Sequence, residues 1–171
     1  IEKLTEGIFR TQGAHVLPPQ TDGTRTGLLS SMEKSGVDLS VIMPIATSPT
    51  QHTTINTFAK EITDNKKIIS FGSIHPMQTD WEEALEHIAE LKLPGIKMHP
   101  EFQDFYVDEP IILDIVKKCE KLNLLVLFHS GADMGYHPPV HCTPQRLRTV
   151  LDKTGCTNII AAHLGAFLMW E

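Results

Sequence analysis

Little in this sequence points to a membrane, a nucleic acid or a disulfide-stapled fold. Across 171 residues there are three cysteines, Cys119, Cys142 and Cys156. They are odd in number and have neither CxxC nor zinc-finger spacing, so a reduced, cytoplasmic setting is expected. No apolar run approaches the roughly 18 residues that span a bilayer, and the first residues lack signal-peptide character. Positive charge is short as well: 15 Lys and Arg against 21 Asp and Glu leave a formal net charge of −6. With both signs interspersed, that balance gives no footprint for nucleic acid or an anionic membrane surface. There is no GxGxxG or GxxxxGK loop, which speaks against nucleotide binding. What is present, 41% hydrophobic and 21% charged residues, is the composition of a globular protein. The length suits one domain over 1–171 with a real core.

Periodicity says more. Five short, largely apolar runs recur at Leu39–Ile45, Ile68–Ile74, Gly95–His99, Leu124–Ser130 and Ile159–His163, with starts 29, 27, 29 and 35 residues apart. Such runs suit strands buried on both faces, as in a parallel sheet. Helical patterns fill the gaps. Gly23–Gly36 places Leu28, Leu29 and Met32 on one face and ends on a natural glycine stop. Residues 51–65 form a weaker pattern. Trp81–Leu93 follows Asp80 as N-cap and carries Trp81, Leu85, Ile88 and Ala89 on one stripe. Glu109–Leu122 has Pro110 in its first turn and turns Ile112, Ile115, Val116 and Cys119 inward. Thr143–Asp152 opens on Thr-Pro and carries Leu147, Val150 and Leu151.

Successive βα units of about 30 residues imply parallel strands joined by crossovers. An open doubly wound sheet and a closed (β/α)8 barrel both accept this α/β pattern. Five strands complete the first, whereas the second needs eight and typically about 250 residues. On the barrel reading both ends look cut, with residue 1 entering on a helix and another helix starting at Trp170-Glu171.

Four of the nine histidines, His75, His99, His129 and His163, fall at the C-terminal ends of the runs. Side chains alternate across a strand, so Lys97 and His99 share a face. The same holds for Leu125, Leu127 and His129, and for Ile159, Ala161 and His163. In a barrel those faces point inward near the mouth where active sites sit. Imidazole is the commonest metal ligand and a frequent acid or base near neutral pH. Several at one mouth would suit a divalent metal that lowers the pKa of bound water. A single strand-end histidine is better explained as a packed, hydrogen-bonded residue; four at equivalent positions favour a cluster.

Gly-Ile-Lys-Met-His-Pro at 95–100, Leu-Phe-His-Ser-Gly at 127–131, His-Cys-Thr-Pro at 141–144 and Ala-Ala-His-Leu-Gly at 161–165 then suggest a family. With Ser-Ile-His-Pro at 73–76, their order and spacing resemble the amidohydrolase-2 branch of the amidohydrolase superfamily. The resemblance implies a (β/α)8 barrel holding one or two divalent metals, most often zinc, with manganese or iron as other choices. If Leu39–Ile45 is strand 2, the chain supplies strands 2 to 6 of an incomplete barrel. His129 then ends strand 5 as a metal ligand. His163 ends strand 6 as a second metal ligand or as the acid–base catalyst. The His-x-His pair that ends strand 1 in that family, and the aspartate that ends strand 8, are not in this sequence.

His99 either lines the substrate site or packs beside Pro100. Lys97 either hydrogen-bonds substrate or, as related binuclear enzymes imply, bridges two metals after carboxylation by CO2. In the mouth loop Ala132–Thr143, Asp133 and His141 are expected to contact substrate, beside Tyr136 and His137. Pro138 and Pro139 exclude a helix aligning His137 with His141, and are expected to fix a rigid turn. His75 reads as structural, and His15, His52 and His87 read as solvated. Cys142 reads as a packed loop cysteine without an activating base.

Three functions are compatible with this sequence. The first is a hydrolase in which metal-activated water attacks an ester, lactone or amide. The second, from the same branch, is a nonoxidative decarboxylase of an aromatic carboxylic acid. Both imply a small-molecule substrate and accommodate a homodimer. The third is a binding or assembly module whose exposed strand edges pair with another chain.

Overall fold

The computed structural model describes residues 22–133 and 135–170. The expectations for His15 and for a helix at residue 1 lie outside the described residues, as does Glu171; Trp170 is not helical. Five strands run parallel: β1 (Ser40–Ile42), β2 (Ile68–Ser70), β3 (Gly95–Met98), β4 (Leu125–Phe128) and β5 (Ile159–Ala161). β1 pairs with β2, and β3–β4–β5 form a second group. A bridge between Gly72 and Ile96 joins the groups just beyond β2. There the Gly72 N–H donates to Gly95 O at 2.8 Å and the Lys97 N–H to Gly72 O at 2.9 Å. Spatial order therefore follows chain order. A doubly wound sheet reverses its order at a switch point; a barrel wall does not.

The helices between the strands are α1 (Arg25–Ser35), α2 (His52–Ile62), α3 (Trp81–Glu90), α4 (Pro100–Gln103), α5 (Pro110–Lys121) and α6 (Pro144–Thr154). Their ends follow local chemistry. Thr24 Oγ1 accepts the Gly27 N–H at 3.0 Å to start α1, and Thr143 Oγ1 accepts the Arg146 N–H at 3.2 Å to start α6. Gly36 closes α1 in the left-handed conformation. Asp80, expected to cap α3, makes no cap bond. Its carboxylate instead accepts the Gln78 amide at 3.2 Å and lies 3.3 Å from His52 Nε2.

The apolar stripes then pack. α5 buries Ile112, Ile115, Val116 and Cys119, the four expected. α3 buries Ala84, Leu85 and Ile88. These meet Ile96, Met98, Val126 and Phe128 from β3 and β4 in one core. Each large side chain so buried contributes roughly 1.5–3 kcal/mol. Leu151 departs from expectation: it is 43% exposed, because it faces an open groove beside Ile159 and Ala161, on the edge of β5 that pairs with no strand among the described residues. Lys97 pairs in register with Leu127, and Leu127 with Ile160, so these three share the face opposite the helices. That face and the C-terminal strand ends position the site. No helix among the described residues is long and apolar enough to cross a membrane.

Candidate metal centre

His99 and His129 directly follow β3 and β4, whose register sets them side by side. The His129 N–H continues the ladder to Met98 O at 3.0 Å. Their rings stack with centroids 4.1 Å apart and planes 10° from parallel. Phe102 of α4 covers the other face of His99 at 3.8 Å. His163 arrives by another route than strand alternation. β5 stops at Ala161, and His163 opens a short 3-10 turn with φ 57°. The turn carries His163 Nε2 to 3.2 Å from His129 Nδ1, ring edge to face at 72°.

Asp133, on the loop after β4, completes the cluster. Its Oδ2 lies 3.4 Å from His99 Nε2 and 3.6 Å from His129 Nε2. One ligand atom from each of His99, His129 and Asp133 lies within 4.8 Å of the other two. His129 Nε2 is buried and makes no hydrogen bond among the described residues. A buried lone pair without a partner is costly, and beside a carboxylate it fits a divalent cation. Two imidazoles and a carboxylate suit zinc, manganese or iron. One geometric condition applies. Lone pairs lie in the ring planes, so two nearly parallel rings meet a single ion only when one turns out of the stack.

Electrostatics agree with ligand chemistry. Burial lowers the His99 pKa to about 3, helped by the neighbouring His129, Lys97 and His163. Burial also lowers His129, with Lys97 acting in the same direction. Neutral imidazole is the form that binds metals. Lys97 is buried, and desolvation brings it down to about 8 against the opposing pull of Cys142 and Glu101. Cys142 is pushed up to about 12 by burial and donates to Ser130 Oγ at 3.4 Å, which makes it an inert packed thiol.

The other expected residues fall around this cluster. His141 is tied to α4: its N–H donates to Glu101 Oε1 at 3.1 Å and its Nδ1 lies 3.2 Å from Pro100 O. The proline turn in the same loop contains a cis Pro138–Pro139 bond. His75 Nδ1 accepts the Met77 N–H at 3.2 Å, a structural turn. His87 is exposed, but His52 is not solvated as expected; it is pinned between Pro49 O at 3.1 Å and Asp80.

Sequence reasoning missed α4 and two buried residues on it. Gln103 Oε1 accepts the His99 N–H, and its Nε2 donates to Ala46 O and Ile74 O, each bond 2.8 Å. Glu101 Oε2 and His99 Nδ1 are both buried without a hydrogen bond and face each other at 3.7 Å. Desolvation raises the Glu101 pKa. The available signal was Pro100 straight after a strand, a helix-opening residue that puts both polar groups in one turn.

No family model matches this chain, and no curated protein does. Solved structures do resemble it. One is 5-carboxyvanillate decarboxylase from Novosphingobium aromaticivorans, complexed with manganese and 4-hydroxy-3-methoxy-5-nitrobenzoic acid. It aligns with TM-score 0.66 at 19% identity, over 84% of this chain and 49% of that one. 5-Carboxyvanillate decarboxylase from Sphingomonas paucimobilis gives 0.62 at 15% identity, over 96% and 65%. A probable 2-pyrone-4,6-dicarboxylic acid hydrolase from Acinetobacter baumannii, with citric acid bound, gives 0.51 at 11% identity, over 89% and 52%. This chain therefore spans about half to two thirds of the length of these proteins. At such identities the likeness shows the fold: the five βα units are part of a (β/α)8 barrel.

Proposed function

We propose that this chain carries the central part of a metal-dependent enzyme of the amidohydrolase superfamily, a hydrolase acting on a carbonyl-type bond of a small molecule. One observation carries the reading. The buried, unpartnered Nε2 of His129 faces the Asp133 carboxylate at the C-terminal ends of parallel strands, where active sites of this fold sit. A divalent ion bound there supplies carbonyl polarisation and a water of lowered pKa. His129 is the firmest ligand, with His163, His99 and Asp133 within reach of the same position. His163 is exposed, so it is also the imidazole of the cluster that a substrate can reach as acid–base catalyst. Lys97 serves the substrate side as a hydrogen-bond donor to an anionic or carbonyl group. His141 braces α4 beside the cluster, where it serves the substrate side.

Zinc is the first choice of metal, with manganese or iron as alternatives. Three free, buried cysteines suit a reducing cytoplasm. A homodimer, as the resemblance implies, completes this reading, and sedimentation velocity tests it. A second reading has equal support, because similar structures include decarboxylases as well as a hydrolase: nonoxidative decarboxylation of an aromatic carboxylic acid.

The test is metal content per chain in protein purified without chelator, with His129→Ala beside it. Near-stoichiometric metal that disappears in the variant supports the enzyme. An assay panel then sets esters, lactones and amides against aromatic carboxylic acids, and release of CO2 decides for the decarboxylase. A wild-type chain without metal favours the binding module.

A further inference from the structure

We infer that the span from His163 to Ala166 is a two-position flap that decides whether His163 stands at the cluster. In the position seen, His163 meets His129 and Leu164 stands in solvent. In the other, Leu164 fills the groove beside β5 and His163 is drawn away from His129. The flap works with or without a metal, so it stands apart from the reaction proposed above.

Both ends of the span are tied down. Before it, the Ala162 N–H donates to Phe128 O at 3.0 Å; after it, the Phe167 N–H donates to Ser130 O at 2.9 Å. Between these ties the backbone is strained. His163 and Leu164 have φ of 57° and 56°, in the left-handed region that non-glycine residues disfavour. Gly165 follows at φ 101°. Few contacts hold this turn. The Gly165 N–H donates to Ala162 O at 3.2 Å, the Trp170 indole N–H donates to His163 O at 3.1 Å, and His163 Nε2 lies 3.2 Å from His129 Nδ1. Strain of that kind persists only where the surroundings enforce it.

The same turn leaves Leu164 94% exposed. A single exposed leucine is ordinary. This one stands next to an apolar groove lined by Leu147, Leu151, Ile159, Ala161 and Gly165, the last being its own neighbour in the chain. The groove holds about 310 Å³, room for a leucine side chain. Turning Leu164 inward relieves the left-handed pair and buries the leucine, at the expense of the contact to His129. A ligand that draws on His163 therefore selects the position seen, and an empty site releases it.

Fluorine NMR of the full chain labelled with fluorotryptophan tests this, because Trp170 loses its bond to His163 O when the flap moves. Trp81→Phe assigns the other tryptophan signal. Wild type should give two Trp170 signals in exchange, with methyl contacts from Leu164 to Leu151 in the lesser form. Leu164→Ser removes the group that fills the groove. It should shift the ratio about 10–100-fold toward the position seen and leave one signal. Gly165→Ala should shift it the other way: a Cβ there meets nothing within 4 Å in the position seen, so it acts through φ alone. One Trp170 signal unchanged by both variants overturns the flap. Contacts between Leu164 and Leu151 that vanish on dilution also overturn it, by assigning the groove to a second copy.

Discussion

Gly131 and Phe167 lie backbone to backbone, tying the end of β4 to the turn that follows β5. The Phe167 N–H donates to Ser130 O at 2.9 Å, and the Ala132 N–H to Phe167 O at 3.0 Å. Asp133 leaves this bridge two residues on, and His163 precedes it by four, so the bridge sets the spacing of site residues from two different loops. Gly131 has φ 85°, and a Cβ there would collide with the Phe167 backbone. Gly131→Ala should therefore cost at least about 2 kcal/mol, from left-handed strain of roughly 1–2 kcal/mol plus displacement of the bridge. Urea unfolding checks this, and metal affinity should fall in the same variant. An unchanged midpoint would mean that the two loops are held elsewhere.

The parts of this fold legible in sequence are those where one physical pattern dominates. α5 shows its four inward residues because a 3.6-residue period over twelve positions is hard to mimic. The five strands are legible as apolar runs, but pairing covers only three or four residues of each, shorter than the runs themselves. His99 and His129 follow from strand alternation. His163 does not, because a left-handed non-glycine turn leaves no trace in alternation. Glu101 and Gln103 sit on a four-residue helix too short to show a period. What buries Gln103 is a contact with Ala46, 57 residues away. Polar residues of that kind are set by tertiary structure alone.

Asp64 gives an acid limb to stability. Its Oδ1 accepts the N–H groups of Lys66, Lys67 and Ile68 at 2.9, 2.8 and 2.9 Å, and its Oδ2 meets Arg25 at 2.8 Å. These backbone donors, Ile68 first, hold its pKa well below the usual carboxylate range. A folded pKa below the unfolded one means stabilisation that is fully present above about pH 4 and is lost progressively as pH falls below that toward the folded pKa. Asp64→Asn should be less stable at neutral pH and lose less on acidification. Melting temperatures between about pH 3 and 7 check the prediction, and parallel acid limbs would refute it.

Lys97 carries the opposite kind of cost. It is 6% exposed, and desolvation holds its pKa at about 8, so its charged form is penalised below that pH. The unfolded lysine keeps its proton to about pH 10.4, so the penalty lifts as pH rises from about 8 to that value. Lys97→Met, similar in length and uncharged, should stabilise the fold by about 1–3 kcal/mol at neutral pH, with the gain shrinking above pH 8. Denaturant titrations at two pH values test this. A gain independent of pH would point to packing rather than charge.

Gln103 should prove the costliest polar side chain to remove. It is 2% exposed and spends all three of its hydrogen bonds on backbone groups from three strand ends: Ala46 O, Ile74 O and the His99 N–H. Gln103→Ala leaves two carbonyls and one N–H buried without partners, at about 1–3 kcal/mol each. A loss of about 3–5 kcal/mol is expected, partly recovered if water enters the gap. Gln103→Glu separates the contributions. It keeps an acceptor for the His99 N–H but sets a carboxylate against the Ala46 and Ile74 carbonyls. It should therefore be as damaging as alanine at neutral pH and improve on acidification, when a protonated carboxyl donates to one of them. If Gln103→Glu were as stable as wild type at neutral pH, the two carbonyls would have found other donors. Gln103 would then be a spacer, and the strand ends that carry His99 would be set by the core alone.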